Sequence, residues 1–550
     1  MRVSDIETKM RSALVLALLC AAAFLCRSAS MQAQETEKLV AVPLPPMGWS
    51  SWNSFSNTVN SEVIASQARA MTSTGMKKAG YEYINIDEGW WLGERDANGN
   101  IVVDPNAWPA LASGERAGDM SNIVRYIHGL GLKAGIYTDT GRNGCGSVGP
   151  DLGPAYPNEG SEGHYQQDFL QFAKWGFDYV KVDWCGGAKE KLDPAVQYAE
   201  IARAIENAEA VTHHRLYYSI CDWGNNSPWT WAPGIGGVTA AIWRVSGDIV
   251  APIVANSKNS ARKASFPGVL SNFDKGIHPE SQHTGYYNDP DMMVLGMPGL
   301  TDEQNRVHMS LWAMSGAPLL VGADLTKLSD AMLAALTNPA VLAIDQDALG
   351  LQAAKVSEPG PGLEVWSKAL STPGERAVML LNRGAEAALI SVRWADLGLV
   401  GSASARLRDL WAQKDLGAFD HSYSTTVAAG DAVILLVHGS EGKLTTYEPE
   451  QRTSASSAAS GYSLTFANIA SKARIAPIRI AYSNPGKQVR IAELRVNGQG
   501  ATSVAFPPTG GSPDGAIWIE AVLDRTGPTN VLTFSSTCDP EPLIESISLQ

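Results

Sequence analysis

One apolar run decides how this chain folds: Phe177-Asp178-Tyr179-Val180-Lys181-Val182-Asp183-Trp184-Cys185-Gly186-Gly187. A helix-like segment precedes it and glycines end it, which is typical of a strand that is buried on both faces. Lys181 and Asp183 stand two residues apart, and residues i and i+2 of a strand point to the same face. The lysine would then keep the carboxylate ionised, and a positioned, ionised carboxylate is a candidate nucleophile. An ordinary ion pair that closes a strand is the alternative interpretation.

The same unit of strand, loop and helix repeats between Val40 and about Asp345. Strands are expected near Gly48–Trp52, Tyr81–Asp87, Leu132–Asp139, Tyr179–Asp183, Tyr217–Cys221, Ile242–Asp248, Tyr286–Asp291 and Leu319–Asp324. Helices are expected between them at Glu62–Ala79, Met120–Leu130, Tyr165–Trp175, Ala195–Ala208 and Glu303–Met314. This alternation predicts an α/β fold, a (β/α)8 TIM barrel, over residues 40–345. A doubly wound open sheet is the alternative, but it normally has fewer units and a glycine-rich phosphate loop, which the sequence lacks.

Acidic residues and one arginine stand at or just after the ends of most of these strands. They are Asp87, Glu88, Asp139, Asp183, Asp222, Arg244, Asp248, Asp289, Asp291 and Asp324. Barrel enzymes build their active sites at that face. An aspartate can also cap the helix that follows it, but capping explains one such residue better than it explains the whole set. The pattern therefore indicates a catalytic site.

The composition limits which kinds of partner this protein is expected to bind. The 550 residues carry a formal net charge of -13, which argues against nucleic acid and against an anionic membrane surface. Hydrophobic residues make up 45% of the chain and charged residues 18%, as expected of a globular protein with ample core. The length predicts about two to four domains.

Residues 1–34 have the composition of a secretory signal peptide. Arg11 precedes the apolar run Ala13–Cys26, and Arg27–Gln34 follows with the small residues of a cleavage site. The run is too short to span a bilayer comfortably, so a retained anchor is the weaker alternative. The mature protein is expected to be secreted or periplasmic, with no membrane attachment after cleavage.

Four cysteines remain after that segment: Cys145, Cys185, Cys221 and Cys538. An exported protein tolerates disulfides, and four cysteines allow three full pairings among which the sequence does not choose. No spacing of cysteine and histidine indicates a zinc site.

Beyond Asp345 the helical patterns end and short strand patterns follow. Residues 346–440 predict an antiparallel β-sandwich packed on the barrel, with strands at Leu363–Lys368, Ala377–Leu381, Ala388–Val392, Ala405–Leu410 and Ala432–Val437. Residues 446–550 predict a β jelly roll, with strands at Tyr462–Phe466, Ile478–Tyr482, Val489–Val496, Ile517–Leu523 and Val531–Phe534. A Ser/Ala-rich stretch, Thr453–Ser460, favours an independent unit that serves as a binding module or a spacer.

Glycoside hydrolysis is a chemistry that two such carboxylates perform, one on each side of the bond that breaks. Asp183 is the candidate nucleophile. Asp248 is the candidate acid/base, because it ends Trp243–Asp248 two strands further round the barrel and so faces Asp183 across a pocket. Arg244 is a candidate partner for a sugar hydroxyl or carboxylate, although a local ion pair with Asp248 would explain it as well.

Five ordered motifs resemble glycoside hydrolase family 27, the family of α-galactosidases and α-N-acetylgalactosaminidases. They are Pro46-Met47-Gly48-Trp49-Ser50-Ser51-Trp52-Asn53, Ile84-Asn85-Ile86-Asp87-Glu88-Gly89-Trp90, Gly131-Leu132-Lys133-Ala134-Gly135-Ile136-Tyr137, Lys181-Val182-Asp183-Trp184-Cys185 and Asn288-Asp289-Pro290-Asp291-Met292. The resemblance runs from about Pro43 to Val437. It implies a retaining double displacement, with Asp183 as the nucleophile and Asp248 as the acid/base, and it implies no cofactor and no metal in the catalytic site.

The resemblance also implies a sugar pocket and a disulfide. Positions that line the galactose pocket in the family are matched by Trp52, Asp87, Tyr137, Lys181, Arg244 and Asp291. Cys145 and Cys185 match a disulfide beside the site. Cys221 matches a second bridge, but its usual partner falls near Ala240 or Ala241, which makes Cys221 a candidate free thiol.

Two positions depart from the family pattern. Asp87-Glu88 stands where the family usually has two aspartates, and Cys221-Asp222-Trp223 stands where α-galactosidases usually have Cys-Glu-Trp. We expect Glu88 and Asp222 to bind substrate, and an acidic residue at 222 favours a free 2-hydroxyl over a 2-acetamido group. The expected activity is that of an α-galactosidase on a galactoside oligo- or polysaccharide. A β-L-arabinopyranosidase, acting on an arabinopyranoside, is the alternative within the family.

Two other classes of protein are weaker alternatives. A non-catalytic sugar-binding protein on the same barrel would have no need of both Asp183 and Asp248. A metal-dependent hydrolase would use the acidic ring, but none of the nine histidines stands in a metal-binding motif.

The last module resembles carbohydrate-binding modules of families 35 and 6. The match is carried by Tyr447-Glu448-Pro449-Glu450, Ile491-Ala492-Glu493-Leu494-Arg495-Val496-Asn497-Gly498 and Ile544-Glu545-Ser546-Ile547. Glu448 and Glu450 stand where such modules often hold a structural calcium, with Glu545 as a candidate third ligand, and oxygen ligands suit calcium. Exposed acidic residues on an edge strand are the alternative interpretation.

Overall fold

A computed structural model describes the chain over residues 42–145, 160–234, 241–249, 263–399, 401–453, 462–510, 515–525, 527–536 and 541–550. The predicted signal peptide, residues 1–34, and Cys538 lie outside these ranges.

Eight parallel strands form the barrel that the repeating unit predicts. The strands of this part of the chain are β1 (Met47–Ser50), β2 (Tyr83–Asn85), β3 (Trp91–Arg95), β4 (Ile101–Val103), β5 (Lys133–Asp139), β6 (Tyr179–Asp183), β7 (Tyr217–Cys221), β8 (Ile242–Arg244), β9 (Tyr287–Asp289) and β10 (Leu319–Val321). All but β3 and β4 pair in parallel, in the order β10-β1-β2-β5-β6-β7-β8-β9. Met293, just after β9, bridges in parallel to Val321 of β10 and joins the two edges of the sheet. This is the arrangement of a TIM barrel, and the antiparallel pair β3–β4 is an addition that the sequence did not predict.

Helices connect the strands, and local residues set their ends. They are α1 (Trp52–Phe55), α2 (Ser61–Ser73), α3 (Ser121–Gly129), α4 (Tyr165–Trp175), α5 (Cys185–Glu190), α6 (Pro194–Thr212), α7 (Phe266–Gly276), α8 (Asp302–Ser315), α9 (Asp330–Leu336) and α10 (Pro339–Asp345). Asn60 caps α2 by accepting a hydrogen bond from the Val63 N–H, and Thr301 and Gln304 form a capping box at α8. Gly176 ends α4 with a left-handed conformation, φ 88°. The five predicted helices are therefore present.

An antiparallel β-sandwich follows the barrel, as predicted. Its strands are β11 (Ala354–Gly360), β12 (Leu363–Ala369), β13 (Glu375–Asn382), β14 (Ala388–Arg393), β15 (Ser404–Asp409), β16 (Lys414–Asp420), β17 (Ser422–Val427) and β18 (Ala432–His438). Six of them form one sheet in the order β11-β12-β13-β18-β15-β16, and β14 pairs with β17. Val378, Leu380, Ile390 and Leu435 pack together in a core of its own between these sheets.

The C-terminal module consists of two further antiparallel sheets. Its strands are β19 (Thr445–Tyr447), β20 (Gln451–Thr453), β21 (Tyr462–Ile469), β22 (Ile475–Ser483), β23 (Arg490–Val496), β24 (Gln499–Phe506), β25 (Gly515–Val522), β26 (Asn530–Ser536) and β27 (Leu543–Leu549). The sheet orders are β19-β27-β22-β25 and β20-β21-β26-β23-β24. Leu464, Phe466, Ile480 and Phe534 lie in its separate core. The all-β class is thus present, and the jelly-roll connectivity stays a prediction.

This module packs directly on the barrel. Ile491 and Ala505 belong to the same buried cluster as the barrel core. His283, just before β9, accepts a hydrogen bond from the Ala505 N–H at 3.1 Å, and Thr284 Oγ1 accepts one from the Trp518 N–H at 2.9 Å. The module thus has a core of its own and also shares buried apolar surface and hydrogen bonds with the barrel, and its independence stays a prediction.

The connection between β7 and β8 makes part of this contact. Between β7 and β8 the described residues form two short 3-10 turns, Pro228–Thr230 and Ala232–Gly234. A Cβ built on Gly234 would lie 2.6 Å from Ser503 Oγ of β24, so this turn approaches the module closely.

In the described part of the chain, none of the helices combines the length and the apolar character that crossing a bilayer requires.

Candidate active site

Asp183 lies at the carboxyl end of β6 with 6% of its side chain exposed. Its Oδ2 lies 3.7 Å from Lys181 Nζ and 3.4 Å from Cys145 Sγ. Its Oδ1 has no hydrogen-bond partner among the described residues. Burial raises the pKa of Asp183, and the Lys181 cation opposes that rise. A buried carboxylate oxygen without a partner is costly, so this site is suited to receive a polar ligand.

Lys181 contacts two carboxylates, and its position in the strand predicts the contact with Asp183 but not the one with Asp87. Its Nζ donates a hydrogen bond to Asp87 Oδ2 at 3.0 Å, in addition to its contact with Asp183. The same ammonium lies 5.2 Å from the ring centre of Tyr137. The Tyr137 hydroxyl is buried and has no hydrogen-bond partner in the described ranges. Two unpartnered polar groups, this hydroxyl and Asp183 Oδ1, therefore lie beside one cation.

Arg244, at the end of β8, joins two more of the predicted residues. Its Nη1 lies 3.0 Å from Asp291 Oδ1, and its Nη2 donates to Asp248 Oδ1 at 3.1 Å. Asp291 is buried, whereas the Asp248 side chain is 46% exposed. Burial raises the pKa of Asp291 to about 7, and the guanidinium opposes that rise. The local ion pair with Asp248 that the sequence allowed is thus present beside a second, buried one.

A small cavity lies inside the barrel. It is lined by Ser50, Asn85, Ile86, Asp87, Ile136, Tyr179, Lys181, Ser219, Arg244, Asp289, Met292 and Leu320. Three of the predicted substrate-binding residues, Asp87, Lys181 and Arg244, are among them. Its volume is about 20 Å³, room for roughly one water molecule, so charged side chains meet here but the cavity itself does not hold a sugar ring.

Three other predicted substrate-binding residues lie outside the lining of this cavity. Asp222 is buried, and its two carboxylate oxygens accept hydrogen bonds from the Gly224 N–H at 3.0 Å and the Asn226 N–H at 3.1 Å, so it closes its own loop. Glu88 is also buried, and its N–H donates to Asp87 Oδ1 at 2.9 Å. Trp52 begins α1 and is half-buried. These three do not line the cavity described above, and neither do Asp183, Asp248, Tyr137 and Asp291.

Cys145 and Cys185 form a disulfide beside Asp183, as the resemblance implies, with their Cα atoms 5.0 Å apart.

Asp139 supports this region, a role that the sequence did not reveal. Its carboxylate accepts hydrogen bonds from the N–H groups of Gly141, Cys185 and Gly186 at 2.7–2.9 Å. Burial raises the pKa of Asp139 to about 8 against these bonds, which lower it. Asp139 thus caps α5.

Cys221 is a free, fully buried thiol at the end of β7. The parallel pairing of β6 and β7 sets Cys221 opposite Asp183. Arg244 Nη1 lies 3.7 Å from its sulfur. The sequence singled out this cysteine for its missing partner and not for this position. The available signal was that Asp183 and Cys221 each end a five-residue strand.

Few potential metal ligands lie close to one another in the described ranges. One group of three ligand atoms lies close together there, from Asp139, Cys145 and Cys185. The disulfide occupies both sulfurs of this group. Glu448, Glu450 and Glu545 are exposed and do not form such a group, and Glu450 accepts a hydrogen bond from Asn468 Nδ2 at 2.8 Å.

Family models match three parts of the chain. Residues 44–347 match the model described as alpha galactosidase A, and residues 360–437 match the alpha galactosidase C-terminal beta sandwich domain. Residues 454–547 match the model described as the alpha-galactosidase CBM13 domain. The resemblance of this last module to carbohydrate-binding families 35 and 6 is therefore not confirmed.

Individual proteins match the barrel and sandwich together. Alpha-galactosidase A of Cellvibrio japonicus is 41% identical over 388 residues, which is 70% of this chain and 87% of that protein. Alpha-galactosidase of Oryza sativa subsp. japonica is 35% identical over 390 residues, which is 70% of this chain and 83% of that protein. The crystal structure of alpha-galactosidase I from Mortierella vinacea superposes with a TM-score of 0.61 at 29% identity, covering 73% of this chain and 98% of that one. The chain therefore belongs to the alpha-galactosidase A family, the glycoside hydrolase family 27 that its motifs resemble.

Proposed function

We propose that this protein is a retaining exo-α-galactosidase that removes terminal α-D-galactosyl groups from oligo- or polysaccharides. The observation that carries the proposal is the unpartnered, buried Oδ1 of Asp183 beside Lys181. A nucleophilic carboxylate must be ionised and must leave one oxygen free for the anomeric carbon. The Lys181 cation supplies the first condition and the free Oδ1 supplies the second.

Asp183 and Asp248 divide the chemistry between them. Asp183 attacks the anomeric carbon and forms a covalent galactosyl–enzyme, while Asp248 gives its proton to the leaving oxygen. Asp248 then takes a proton from water, which displaces Asp183 and restores the original anomeric configuration. The half-exposed position of Asp248 suits this role, because the leaving group and the water both come from the solvent side.

The sugar hydroxyls bind to the charged groups around this pair. In this proposal the sugar contacts Asp87, Lys181 and Arg244, which line the cavity. It also contacts Tyr137, Asp291 and Trp52, which lie outside that lining. Arg244 Nη1 and Nη2 already contact Asp291 and Asp248, so the guanidinium orients these two carboxylates towards the sugar. Asp222 favours a free 2-hydroxyl, provided that its carboxylate turns away from the Gly224 and Asn226 N–H groups when the sugar binds.

A β-L-arabinopyranosidase is the second candidate, and Glu88 favours it. This glutamate is 2% exposed and directly follows Asp87, which belongs to the cavity. A longer side chain in a packed environment takes up room that the hydroxymethyl group of galactose requires.

Hydrolysis of 4-nitrophenyl glycosides tests the proposal. The panel consists of the α-D-galactoside, the β-L-arabinopyranoside and the α-N-acetylgalactosaminide, assayed with and without a chelator. We expect the α-D-galactoside to be cleaved fastest, with equal rates in the chelator. Proton NMR should show α-galactose as the first product, and β-galactose would contradict the double displacement. Binding of galactose without any hydrolysis would identify a sugar-binding protein instead.

The C-terminal module binds carbohydrate in this proposal. A calcium ion at Glu448, Glu450 and Glu545 stays a prediction, and it would require these side chains to move together, because they do not form a ligand group in the described ranges. Carboxylate oxygens are the ligands that calcium prefers. A rise in Tm on adding calcium to chelator-treated protein, absent in Glu448→Gln, would support the site.

A further inference from the structure

We propose that Cys221 is a positioning residue for Asp183: its thiol donates a hydrogen bond to Oδ2 of the Asp183 carboxylate, leaves Oδ1 free and holds this nucleophile in its attacking orientation. The inference rests on the proposed function, because it assigns a role to a neighbour of the proposed nucleophile.

The strand pairing places the two side chains together. Residues that pair across parallel strands point to the same face of the sheet, and Asp183 pairs with Cys221. Both residues end their strands, and Cys221 is fully buried. On the other side of the thiol, Arg244 Nη1 lies 3.7 Å from the sulfur. Cys221 is thus confined between the nucleophile and the guanidinium that binds Asp248.

Two sulfur atoms flank Asp183, and they differ in the one property that matters. Cys145 Sγ lies 3.4 Å from Asp183 Oδ2, but its disulfide with Cys185 leaves it without a proton. Cys221 is free and carries its hydrogen. Of these two sulfurs, Cys221 alone can donate to the carboxylate.

The Cys221 thiol is in the protonation state that a hydrogen-bond donor requires. Burial raises the pKa of the Cys221 thiol well above its usual value, and Asp183 raises it further, whereas Arg244 and Lys181 lower it. The thiol therefore stays protonated at neutral pH. A hydrogen bond from it lowers the pKa of Asp183, in the same direction as Lys181 and against burial and the neighbouring Asp87 and Asp248 carboxylates.

Three variants test the role: Cys221→Ala, Cys221→Ser and the control Ile220→Val. The measurement is kcat/KM against pH for the 4-nitrophenyl α-D-galactoside, whose acid limb reports ionisation of the free enzyme's nucleophile. We expect Cys221→Ala to move the acid limb to higher pH and to lower kcat/KM about tenfold there. That figure is the low end for hydrogen bonds to charged groups, because S–H is a weak donor.

Cys221→Ser restores a donor of similar size and should return the acid limb to its original pH. Ile220 is the neighbouring residue on β7 and is fully buried, and alternation along the strand turns it to the opposite face. Ile220→Val should therefore lower Tm through lost packing and leave the acid limb in place. If Cys221→Ala does not fold, Cys221→Val fills the volume of the thiol without a donor and replaces it.

Each outcome decides the proposal. An unchanged acid limb in the alanine or valine variant would overturn it, because the thiol would then contribute nothing to Asp183. Equal displacement in the serine and alanine variants would overturn it too, since volume and not a hydrogen bond would be the cause. Failure of the unaltered protein to cleave any glycoside would overturn the proposed function together with this inference. Normal cleavage with an unmoved limb would overturn the inference alone.

Discussion

Arg244 Nη1 lies 3.0 Å from Asp291 Oδ1, and the two side chains are only 3% and 2% exposed. Asp291 also has a φ of 103°, a conformation that residues other than glycine rarely adopt. The Ile249 N–H holds its Oδ2 at 2.9 Å, and Asp289 Oδ1 accepts its N–H at 2.9 Å. A strained backbone at the edge of a cavity persists only where surrounding contacts enforce it. The strain at Asp291 therefore serves to set the carboxylate against Arg244.

Asp291→Asn should destabilise the protein, because it leaves a buried guanidinium with one carboxylate fewer. Breaking a buried ion pair costs about 3–5 kcal/mol, and we expect about 3 kcal/mol here because Asp248 still contacts Nη2 at 3.1 Å. Urea unfolding measures the loss. The exposed pair Arg408–Asp415 is the matched control, and Asp415→Asn should change little. Equal stability of both variants would show that the buried pair is not important for stability.

Asp183→Asn should abolish turnover, because an amide cannot form the covalent intermediate. Asp248→Ala should lower kcat about 10²- to 10⁴-fold on unactivated galactosides and much less on substrates with good leaving groups, which need no protonation. Asp324, a strand-end aspartate bound to Gln67, provides the control, and Asp324→Asn should keep full activity. Near-normal cleavage of an unactivated galactoside by either of the first two variants would refute the assignment.

The parts of this site that follow from local spacing were predictable. The i, i+2 relation of Lys181 and Asp183 is a property of any strand, and the ion pair at 3.7 Å follows from it. The orientation of Asp222 was not predictable, because it depends on which N–H groups its own loop offers after it closes. The contact of His283 with Ala505 spans 222 residues of sequence, and no local pattern encodes such a pairing. The Ser/Ala-rich stretch likewise does not reveal which surface the C-terminal module shares with the barrel.

Removal of the C-terminal module from Ser454 onward should lower the Tm of the remaining protein, because Ile491 and Ala505 complete the barrel's buried cluster. Truncation would expose that apolar surface beside the Ala232–Gly234 turn. Ile491→Asp in the full chain should reproduce part of the loss. Val522, which is 45% exposed in the same module, provides the control, and Val522→Asp should leave Tm unchanged. A truncated protein with an unaltered Tm would show that the module is independent after all.

The barrel–module junction should weaken in acid, and His283 is the cause. Burial lowers the pKa of His283 to about 4, and a hydrogen bond to the Ser281 carbonyl opposes this fall. The neutral ring accepts the Ala505 N–H at its Nε2. Because the pKa of His283 is lower in the folded protein, the unfolded chain binds the proton more tightly. The contribution of His283 to the free energy of unfolding is therefore fully present above about pH 6.5 and is lost as the pH falls towards 4. The loss from this group is about 2 kcal/mol at pH 5 relative to pH 8.

His283→Gln should reduce that acid sensitivity, because the amide oxygen accepts the same hydrogen bond without titrating. Unfolding free energies at pH 8 and pH 5 measure the effect. The exposed His438 provides the control, and His438→Gln should retain the full loss in acid. An identical pH dependence in His283→Gln and the unaltered protein would exclude His283 as the cause.

Glu88→Asp should raise the ratio of kcat/KM for the α-D-galactoside over that for the β-L-arabinopyranoside. β-L-Arabinopyranose is α-D-galactopyranose without the C6 hydroxymethyl group, so the ratio isolates the space around C6. Glutamate reaches about 1.5 Å further than aspartate along the side chain. Glu88 is buried next to Asp87, whose Oδ1 accepts the Glu88 N–H, so the extra methylene has little room to turn aside. One methylene in a packed pocket changes specificity about 10- to 200-fold.

Asp222→Glu is the matched control, because it restores a methylene at the other departure from the family pattern but acts near the 2-hydroxyl, which both sugars share. We expect the control to change both kcat/KM values alike and to leave their ratio constant. An unchanged or lowered ratio in a folded Glu88→Asp protein would show that Glu88 does not restrict the C6 subsite.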